Sequence, residues 1–251
     1  MRILLTNDDG FFAPGLKTLY KVLAEEKNYK LYIVAPERQR SAVSRSITLH
    51  KPLFVTKHEI EDNVIGYTVN GTPTDCVKIA IQGDVLPVKP DIIISGINAG
   101  PNLGTDVFYS GTVSAAMEGG LLGIPSLAVS VACYDCEDYF PSAKYIDSLL
   151  KKYSQIFRDN MVLNINLPYL KMNEWKGTKI TKLGKSMYEN TFERRQTPLG
   201  KEYYWFSGNQ IVDTEEGTDQ KAVMEGYISI TPLQSDLTEY SKIKELEKII
   251  I

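Results

Sequence analysis

Five short apolar runs recur along the first two thirds of the chain, with more polar segments between them. They cover residues 2–6, 31–35, 91–95, 126–131 and 161–167. Each run is almost continuously hydrophobic, which is typical of parallel strands that helices cover on both faces of a sheet. The pattern therefore predicts a buried parallel sheet.

Segments with helical periodicity lie between several of these runs, at residues 15–26, 73–82, 112–122 and 139–157. Alternation of strands and helices predicts right-handed βαβ units and an α/β fold with a doubly wound, mostly parallel sheet. Residues 52–69 interrupt the alternation, and their pattern predicts a β-hairpin with a polar connection.

The pattern changes near residue 170. Residues 178–184, 201–208 and 226–233 predict strands, whereas residues 185–200 are polar, aromatic and weakly periodic, as in a projecting β-arm. The last fifteen residues predict an amphipathic terminal helix with Leu237, Ile243, Leu246 and Ile249 or Ile250 toward one side. We therefore expect a domain at residues 1–170 and a carboxyl-terminal unit of strands, oligomerisation arm and terminal helix at residues 171–251.

Composition narrows the possible functions. The 251 residues are 43% hydrophobic and carry a net charge of −3, so the chain lacks the broad basic field with which proteins bind nucleic acid. No apolar run approaches the roughly 18 residues of a membrane span, and Met1 leads directly into a strand. We expect a cytoplasmic protein without a nucleic-acid or membrane partner.

Cysteine usage gives a weaker signal. Three cysteines are an odd number, which argues against a secreted disulfide framework. Cys133 and Cys136 have C-x-x-C spacing, so a redox pair and an incidental buried pair are both open.

Polar side chains follow three of the predicted strands. Ligands of doubly wound proteins bind outside the carboxyl ends of the strands, where successive loops converge. The loops bring oxygen and amide groups to that edge, and no imidazole or thiolate, from Asp8, Asp9, Ser41, Asn98, Asn102, Ser110 and Thr112. Such a set favours a hard cation such as Mg²⁺ or Mn²⁺ over zinc.

Two interpretations fit Asp8 and Asp9. Neighbouring carboxylates repel by about 1 kcal/mol at about 4 Å in water and by more near a protein surface, and a divalent cation removes that repulsion. The same residues also suit a turn or a helix cap before Gly10 and the first helix. Ser110 and Thr112 likewise suit a helix cap, or a phosphate site at a helix amino terminus.

Several long, ordered motifs resemble one known family. They are "ILLTNDDG" with "APG", "VAPERQRSAVSRSIT", "GTPTDCV", "PDIIISGINAGPNLGTDVFYSGTVSAAMEG", "LNINLP" and "EGYISITPL". On these motifs the chain resembles, along essentially its whole length, the SurE (survival protein E) family of metal-dependent 5′-nucleotidases. The resemblance implies a Rossmann-like domain, a swapped carboxyl-terminal β-arm, a homodimer or a tetramer built from it, and hydrolysis of nucleoside monophosphates. Some members also act on short polyphosphate.

The resemblance also implies roles for particular residues. It implies one divalent cation per subunit, Mg²⁺ or Mn²⁺, with Asp8, Asp9, Ser41 and Asn98 as ligands and with Asp8, Asp9 and Asn98 as catalytic residues. Substrate phosphate is expected at Asn102, Ser110, Gly111 and Thr112. Arg45 replaces a histidine that some members have, which leaves the role of that position open.

Two other functions are open. Phosphatases with an aspartate nucleophile place two acidic residues two positions apart, so that both project to one side of an extended segment, whereas Asp8 and Asp9 are adjacent. A nucleotide or phosphate sensor would use the same residues without turnover. Nucleoside 3′-monophosphates are a further candidate substrate class.

Overall fold

Seven strands of the amino-terminal region belong to the central sheet of the molecule. The computed structural model describes the chain except for residues 61–63, 154, 156, 158, 159, 190 and 251 and the side chains of residues 187, 209 and 210. The first seven strands are β1 (Arg2–Thr6), β2 (Lys30–Pro36), β3 (Val55–Glu59), β4 (Ile65–Val69), β5 (Ile92–Ala99), β6 (Ser126–Ala132) and β7 (Val162–Pro168).

Six further strands follow in the carboxyl-terminal part. They are β8 (Thr178–Ile180), β9 (Met187–Glu189), β10 (Phe192–Gln196), β11 (Glu202–Phe206), β12 (Asn209–Ile211) and β13 (Ile228–Leu233). The helices are α1 (Pro14–Ala24), α2 (Pro73–Gln82), α3 (Gly111–Leu121), α4 (Phe140–Tyr153), α5 (Asp219–Met224) and α6 (Tyr240–Ile250).

Among the described residues, nine strands form one sheet in the order β3-β4-β2-β1-β5-β6-β7-β13-β8. The six strands from β4 to β7 in this order are parallel, whereas β3 and β13 run antiparallel to β4 and β7. Helices α1 and α4 pack together with one apolar core, and α2 and α3 pack together with another. The predicted doubly wound, mostly parallel α/β fold is confirmed.

Most predicted elements occur within two residues of their expected bounds. β8 ends at Ile180, earlier than the expected residue 184, and α6 begins at Tyr240 rather than at residue 237. β5 instead continues to Ala99, because its pairing with β6 resumes at Asn98 after an irregularity that follows Ser95. Asn98 therefore lies near the end of a strand rather than in the following loop. The predicted helix at residues 139–157 is described as α4 as far as Tyr153, and its expected end lies partly outside the described residues.

The expected hairpin at residues 52–69 is present as the antiparallel pair β3 and β4, in which Val55 is opposite Val69. Its polar connection falls on residues 61–63, outside the described part of the chain. Expectations for residue 251, in the terminal helix, lie outside it too.

The carboxyl-terminal part divides between the main sheet and a projecting arm. β13 pairs with β7 and β8 pairs with β13, so both strands extend the central sheet. The arm consists of two antiparallel pairs, β10 with β11 and β9 with β12. The side chains of β10, β11 and α6 are exposed. The predicted strand hairpin and terminal helix are therefore confirmed, whereas the division at residue 170 and the exchange of the arm stay predictions.

The short helix α5 and the short strand β12 were not predicted. Within the part of the chain that the structure describes, none of the helices combines the length and apolar character needed to cross a membrane.

Candidate active site

The Asp8 carboxylate lies at the amino end of α3. β1 ends at Thr6 and places Asp8 where only 6% of the residue is exposed. Its Oδ1 accepts a hydrogen bond from the Thr112 hydroxyl, and Ser110 caps α3 by accepting from the Val113 N–H at 3.1 Å. A Cβ built on Gly111 would lie 2.9 Å from Asp8 Oδ2, so glycine is what permits this close approach.

Burial opposes the charge on both neighbouring carboxylates. It raises the pKa of Asp8 to about 6, and the charge of Asp9 adds to this, whereas the Thr112 hydroxyl acts in the opposite direction. Burial also raises the pKa of Asp9, against the hydrogen bond that the Ala99 N–H donates to Asp9 Oδ2 at 3.1 Å. The two acids are thus held together where a positive charge would stabilise both.

A narrow turn holds the two acids in place. The side chain of buried Asn7 spans it, because Asn7 Nδ2 donates to the Gly10 carbonyl at 2.9 Å and Asn7 Oδ1 accepts from the Gly10 N–H at 3.2 Å. The turn that the sequence suggested is therefore present, and it coexists with clustering of the carboxylates. Asn7 was missed, although Asn three residues before Gly is a recognisable turn signal.

The loop that carries Ser41 lies against both of these segments. The Arg40 N–H donates to the Asp8 carbonyl at 2.7 Å, so exposed Ser41 directly follows a residue that contacts the Asp8 backbone. Further along, the Ser44 N–H donates to the Tyr109 carbonyl at 3.0 Å, and the Ser44 hydroxyl donates to the Phe108 carbonyl at 2.6 Å. The loop thus joins the end of β1 to the segment before α3.

Asp75 fixes the far end of the same loop. It accepts from the Thr48 N–H at 2.9 Å and from the Thr48 hydroxyl at 2.6 Å, while it also forms a capping box with Thr72 at the start of α2. Sequence reasoning missed this contact. The "GTPTD" motif shows the helix cap, but not the loop partner 27 residues earlier.

Asn98 and Asn102 have different surroundings. Asn98 is partly exposed, lies next to Ala99, and donates from Nδ2 to the Gly100 carbonyl at 2.8 Å. Asn102 is buried: its Nδ2 donates to Ser130 Oγ at 2.7 Å and its N–H to Asn166 Oδ1 at 2.8 Å. Asn102 is therefore anchored to β6 and β7.

Two asparagines of β7 complete this buried network, because Asn164 Nδ2 and Asn166 Nδ2 donate to the Asn102 carbonyl at 2.8 and 2.9 Å. Both were missed as functional residues. Their spacing of two in "LNINLP" puts them on one face of a strand, and that was the available signal.

The structure therefore brings some of the predicted site residues into direct contact and holds others nearby through neighbouring residues. Asp8 contacts Gly111 and Thr112 at the start of α3, which Ser110 caps. Asp9 accepts a hydrogen bond from the N–H of Ala99, the residue that follows Asn98. Ser41 is next to a residue that binds the Asp8 backbone, and Asn102 is held two strands away from β1. Among the described residues, no group of three or more His, Cys, Asp and Glu side chains is placed to hold a metal. The predicted metal ligands include only two carboxylates, Asp8 and Asp9, and their metal role stays a prediction.

Histidine and cysteine contribute to packing near this region. The His58 ring packs against Phe11 and Phe12, with centroids 4.9 and 5.7 Å away, and its Nε2 pairs with Thr68 Oγ1 at 3.0 Å. Cys133 and Cys136 are both described and neither forms a disulfide. Burial raises the pKa of Cys136 to about 12, which disfavours the reactive thiolate.

Comparisons with known proteins identify one family to which the chain is similar. Residues 3–190 match the family model described as Survival protein SurE. A Desulfitobacterium hafniense protein named 5′-nucleotidase SurE is 57% identical over 248 residues, which cover 99% of this chain and 96% of that protein. A Natranaerobius thermophilus protein of the same name is 48% identical, with 96% and 95% covered. The crystal structure of the SurE protein from Aquifex aeolicus superposes with a TM-score of 0.86 at 39% identity and covers 99% of both chains.

Proposed function

Because the chain belongs to the SurE family of survival proteins, we propose that it is a metal-dependent phosphatase that hydrolyses nucleoside 5′-monophosphates to nucleoside and phosphate. The names of its relatives support 5′-nucleotidase activity. The observation that carries the proposal is the Asp8 carboxylate, which is buried against Gly111 and Thr112 at the amino end of α3. There an acidic pair and a helix amino terminus converge.

We propose that Asp8, Asp9, Ser41 and Asn98 hold one Mg²⁺ or Mn²⁺ ion. The donor set fits such an ion, since carboxylate, amide and hydroxyl oxygens are the ligands that hard cations prefer. Burial raises the pKa of both carboxyl groups, so a cation would relieve an unfavourable charge. When bound, the ion supplies electrostatic stabilisation of the phosphate oxygens and acidifies water.

The amino end of α3 would bind the substrate phosphate. Its N–H groups and the helix dipole favour an anion, and Ser110, Gly111 and Thr112 lie in this first turn. Thr112 has a second task, because its hydroxyl donates to Asp8 and orients that carboxylate. Buried Asn102 would fix the loop that leads from β5 to α3.

Water is the proposed nucleophile. The hydroxyl of Thr112 is already donated to Asp8, and Ser110 accepts the Val113 N–H as a helix cap. His58, a potential base, packs against two phenylalanines. Asp9 is more exposed than Asp8, so Asp9 is better placed to accept a proton from the attacking water. Direct attack would invert the configuration at phosphorus.

A turnover assay tests this proposal. Purified protein at substoichiometric concentration is expected to release phosphate continuously from AMP, with 3′-monophosphates and short polyphosphate as further substrates to compare. Asp9→Asn should lower the rate by about 100-fold or more, because it removes a charge from the reacting site.

Asp84→Asn is the matched control for that variant. Asp84 has a φ of 54°, a conformation that asparagine also tolerates, and it lies beyond α2 at the opposite edge of the sheet. Its activity should equal that of the unmodified chain. Binding of AMP without phosphate release would support a nucleotide sensor instead.

A further inference from the structure

An exposed tyrosine stands at the carboxyl end of β6. Tyr134 lies two residues beyond the end of β6, and 75% of the residue is exposed to solvent. Its ring lies on Gly100, where a Cβ would come within 2.4 Å of Tyr134 Cε1. Gly100 also has a φ of +97°, so both the backbone and the ring require glycine here. The Tyr134 ring thus packs on Gly100 and is otherwise largely exposed to solvent.

The turn that carries Tyr134 is joined to the strand that carries Asn98. The Gly100 N–H is shared between the Val131 carbonyl at 3.1 Å and the Cys133 carbonyl at 2.8 Å. The Gly100 carbonyl accepts from Asn98 Nδ2 at 2.8 Å. Gly100 therefore touches both the proposed metal ligand and the tyrosine, and the position of Tyr134 is fixed relative to the proposed reaction centre.

The separation matches the length of a nucleotide. β1, β5 and β6 are neighbours in the sheet, and strands lie about 4.8 Å apart, so the ends of β1 and β6 are separated by about 10 Å. A nucleoside monophosphate whose phosphate binds beside Asp8 reaches that far along the carboxyl edge. Its base would then arrive at an aromatic face that is already exposed.

Tyr188, on β9, borders the same place. It lies close enough to Tyr134 to interact with it electrostatically, and its hydroxyl donates to Asp106 Oδ2 at 2.5 Å. The surroundings of the Tyr134 ring therefore include Tyr188 of β9, which a hydrogen bond ties to Asp106 in the segment before α3.

We propose that Tyr134 stacks on the nucleobase of the substrate and thereby determines the preference for nucleotides over other phosphate esters. This inference rests on the proposed 5′-nucleotidase function. Every base has a π-face, so stacking on one tyrosine accepts purines and pyrimidines alike, and the ribose and phosphate supply the remaining contacts. The tyrosine hydroxyl takes no part in the stacking.

Steady-state kinetics with and without a base on the substrate test the proposal. For AMP, Tyr134→Ala should raise KM about tenfold and leave kcat nearly unchanged, because loss of a base–aromatic stack weakens binding by this order. For ribose 5-phosphate, which lacks the base, the same variant should leave KM and kcat unchanged. Tyr134→Phe should behave like the unmodified chain with both substrates.

Two control variants separate stacking from other effects. Tyr153→Ala removes a tyrosine at the end of α4, on the opposite edge of the sheet, and should change neither substrate's kinetics. Tyr109→Ala removes another exposed ring, in the segment before α3, and should not change the ratio of kcat/KM between AMP and ribose 5-phosphate.

The outcomes are distinguishable from failure of the proposed function. An equal KM rise for AMP and ribose 5-phosphate in Tyr134→Ala, or a base-dependent effect in Tyr109→Ala instead, would overturn the proposal. If the unmodified chain does not hydrolyse AMP, the proposed function fails. The role of Tyr134 is then tested separately, by calorimetric measurement of the binding of a non-hydrolysable phosphonate analogue of AMP. Equal affinity of the unmodified chain and Tyr134→Ala for that analogue would refute it.

Discussion

Asp8 carries its charge at a position where burial opposes ionisation. Its pKa is raised on folding to about 6 from an ordinary value of 3.8, so the folded chain binds this proton more tightly than the unfolded chain does. In the absence of a cation, its contribution to stability is therefore most favourable below about pH 4. That contribution is lost as the pH rises from about 4 to about 6.

This linkage predicts the behaviour of Asp8→Asn in metal-free protein. The variant is neutral at all pH values, so it should be more stable than the unmodified chain at pH 7 by about 3 kcal/mol. The difference should vanish near pH 4, where Asp8 is protonated. Urea unfolding in the presence of a chelator measures the difference in free energy of unfolding between the two proteins. If the advantage of the variant is smaller at pH 7 than at pH 4, burial of Asp8 is not the origin of its raised pKa.

Sequence reasoning located the acidic pair because adjacent carboxylates at a strand end are a local feature. Asp75 and Asn166 were missed, since each acts through a partner that only the fold identifies, whereas Asn7 was missed although its partner Gly10 is three residues away. Asp75 bonds Thr48 from the start of α2, and Asn166 bonds Asn102 from β7, which lies two strands away from β5 in the sheet. Long-range hydrogen bonds of this kind leave little trace in a single sequence.

At the scale of elements, the amino end of α3 is the part on which the site depends most. Gly111→Ala places a methyl group 2.8 Å from Asp8 Cβ, so the carboxylate or the helix must move. We expect kcat/KM for AMP to fall about 100-fold, because small displacements of reacting groups have effects of this size.

Gly119→Ala provides the matched comparison in the same helix. Its methyl group would meet Ser126 Oγ at 2.2 Å, far from Asp8, and overpacking should destabilise the chain by about 1–3 kcal/mol. The folded fraction should keep its activity. Equal losses of activity per folded molecule in the two variants would show that overpacking, rather than displacement of Asp8, is responsible.

The boundaries of elements were predictable where local sequence signals set them. α2 was predicted at its observed bounds because Pro73 begins it and a glycine follows it. β5 is longer than predicted because "GIN" reads as a loop, yet pairing with β6 resumes at Asn98. Pairing between strands, which a single sequence does not display, keeps this polar segment in the sheet.

At the scale of the whole molecule, the arm presents more aromatic surface than a monomer normally exposes. Phe192 and Phe206 face each other across β10 and β11 with ring centroids 5.7 Å apart, and both are exposed together with Tyr204 and Trp205. Such surface is typical of a protein–protein contact. The alternation of strands and helices predicted the central sheet. The surface that the arm contacts could not be predicted in the same way, because in the proposed dimer a second chain supplies it.

We therefore expect a dimer at micromolar concentration, with a mass in light scattering of twice that of the chain. Trp205→Ser should raise the dissociation constant of the dimer at least tenfold, because a tryptophan that becomes buried in an interface contributes strongly to binding. Leu199→Ser, at the 97%-exposed tip of the same hairpin, should leave it unchanged. Monomers alone at micromolar concentration would refute the proposed assembly.

The central claim is that the acidic pair at the end of β1 holds a cation that phosphate hydrolysis requires. Phosphate release from AMP should therefore be measured with protein stripped of metal, verified by elemental analysis, and then titrated with Mg²⁺ or Mn²⁺. The account predicts that activity is absent without metal and returns with a saturable dependence on the added ion, and that Asp8→Asn remains inactive throughout although it is folded. Full activity of the verified metal-free protein would contradict it.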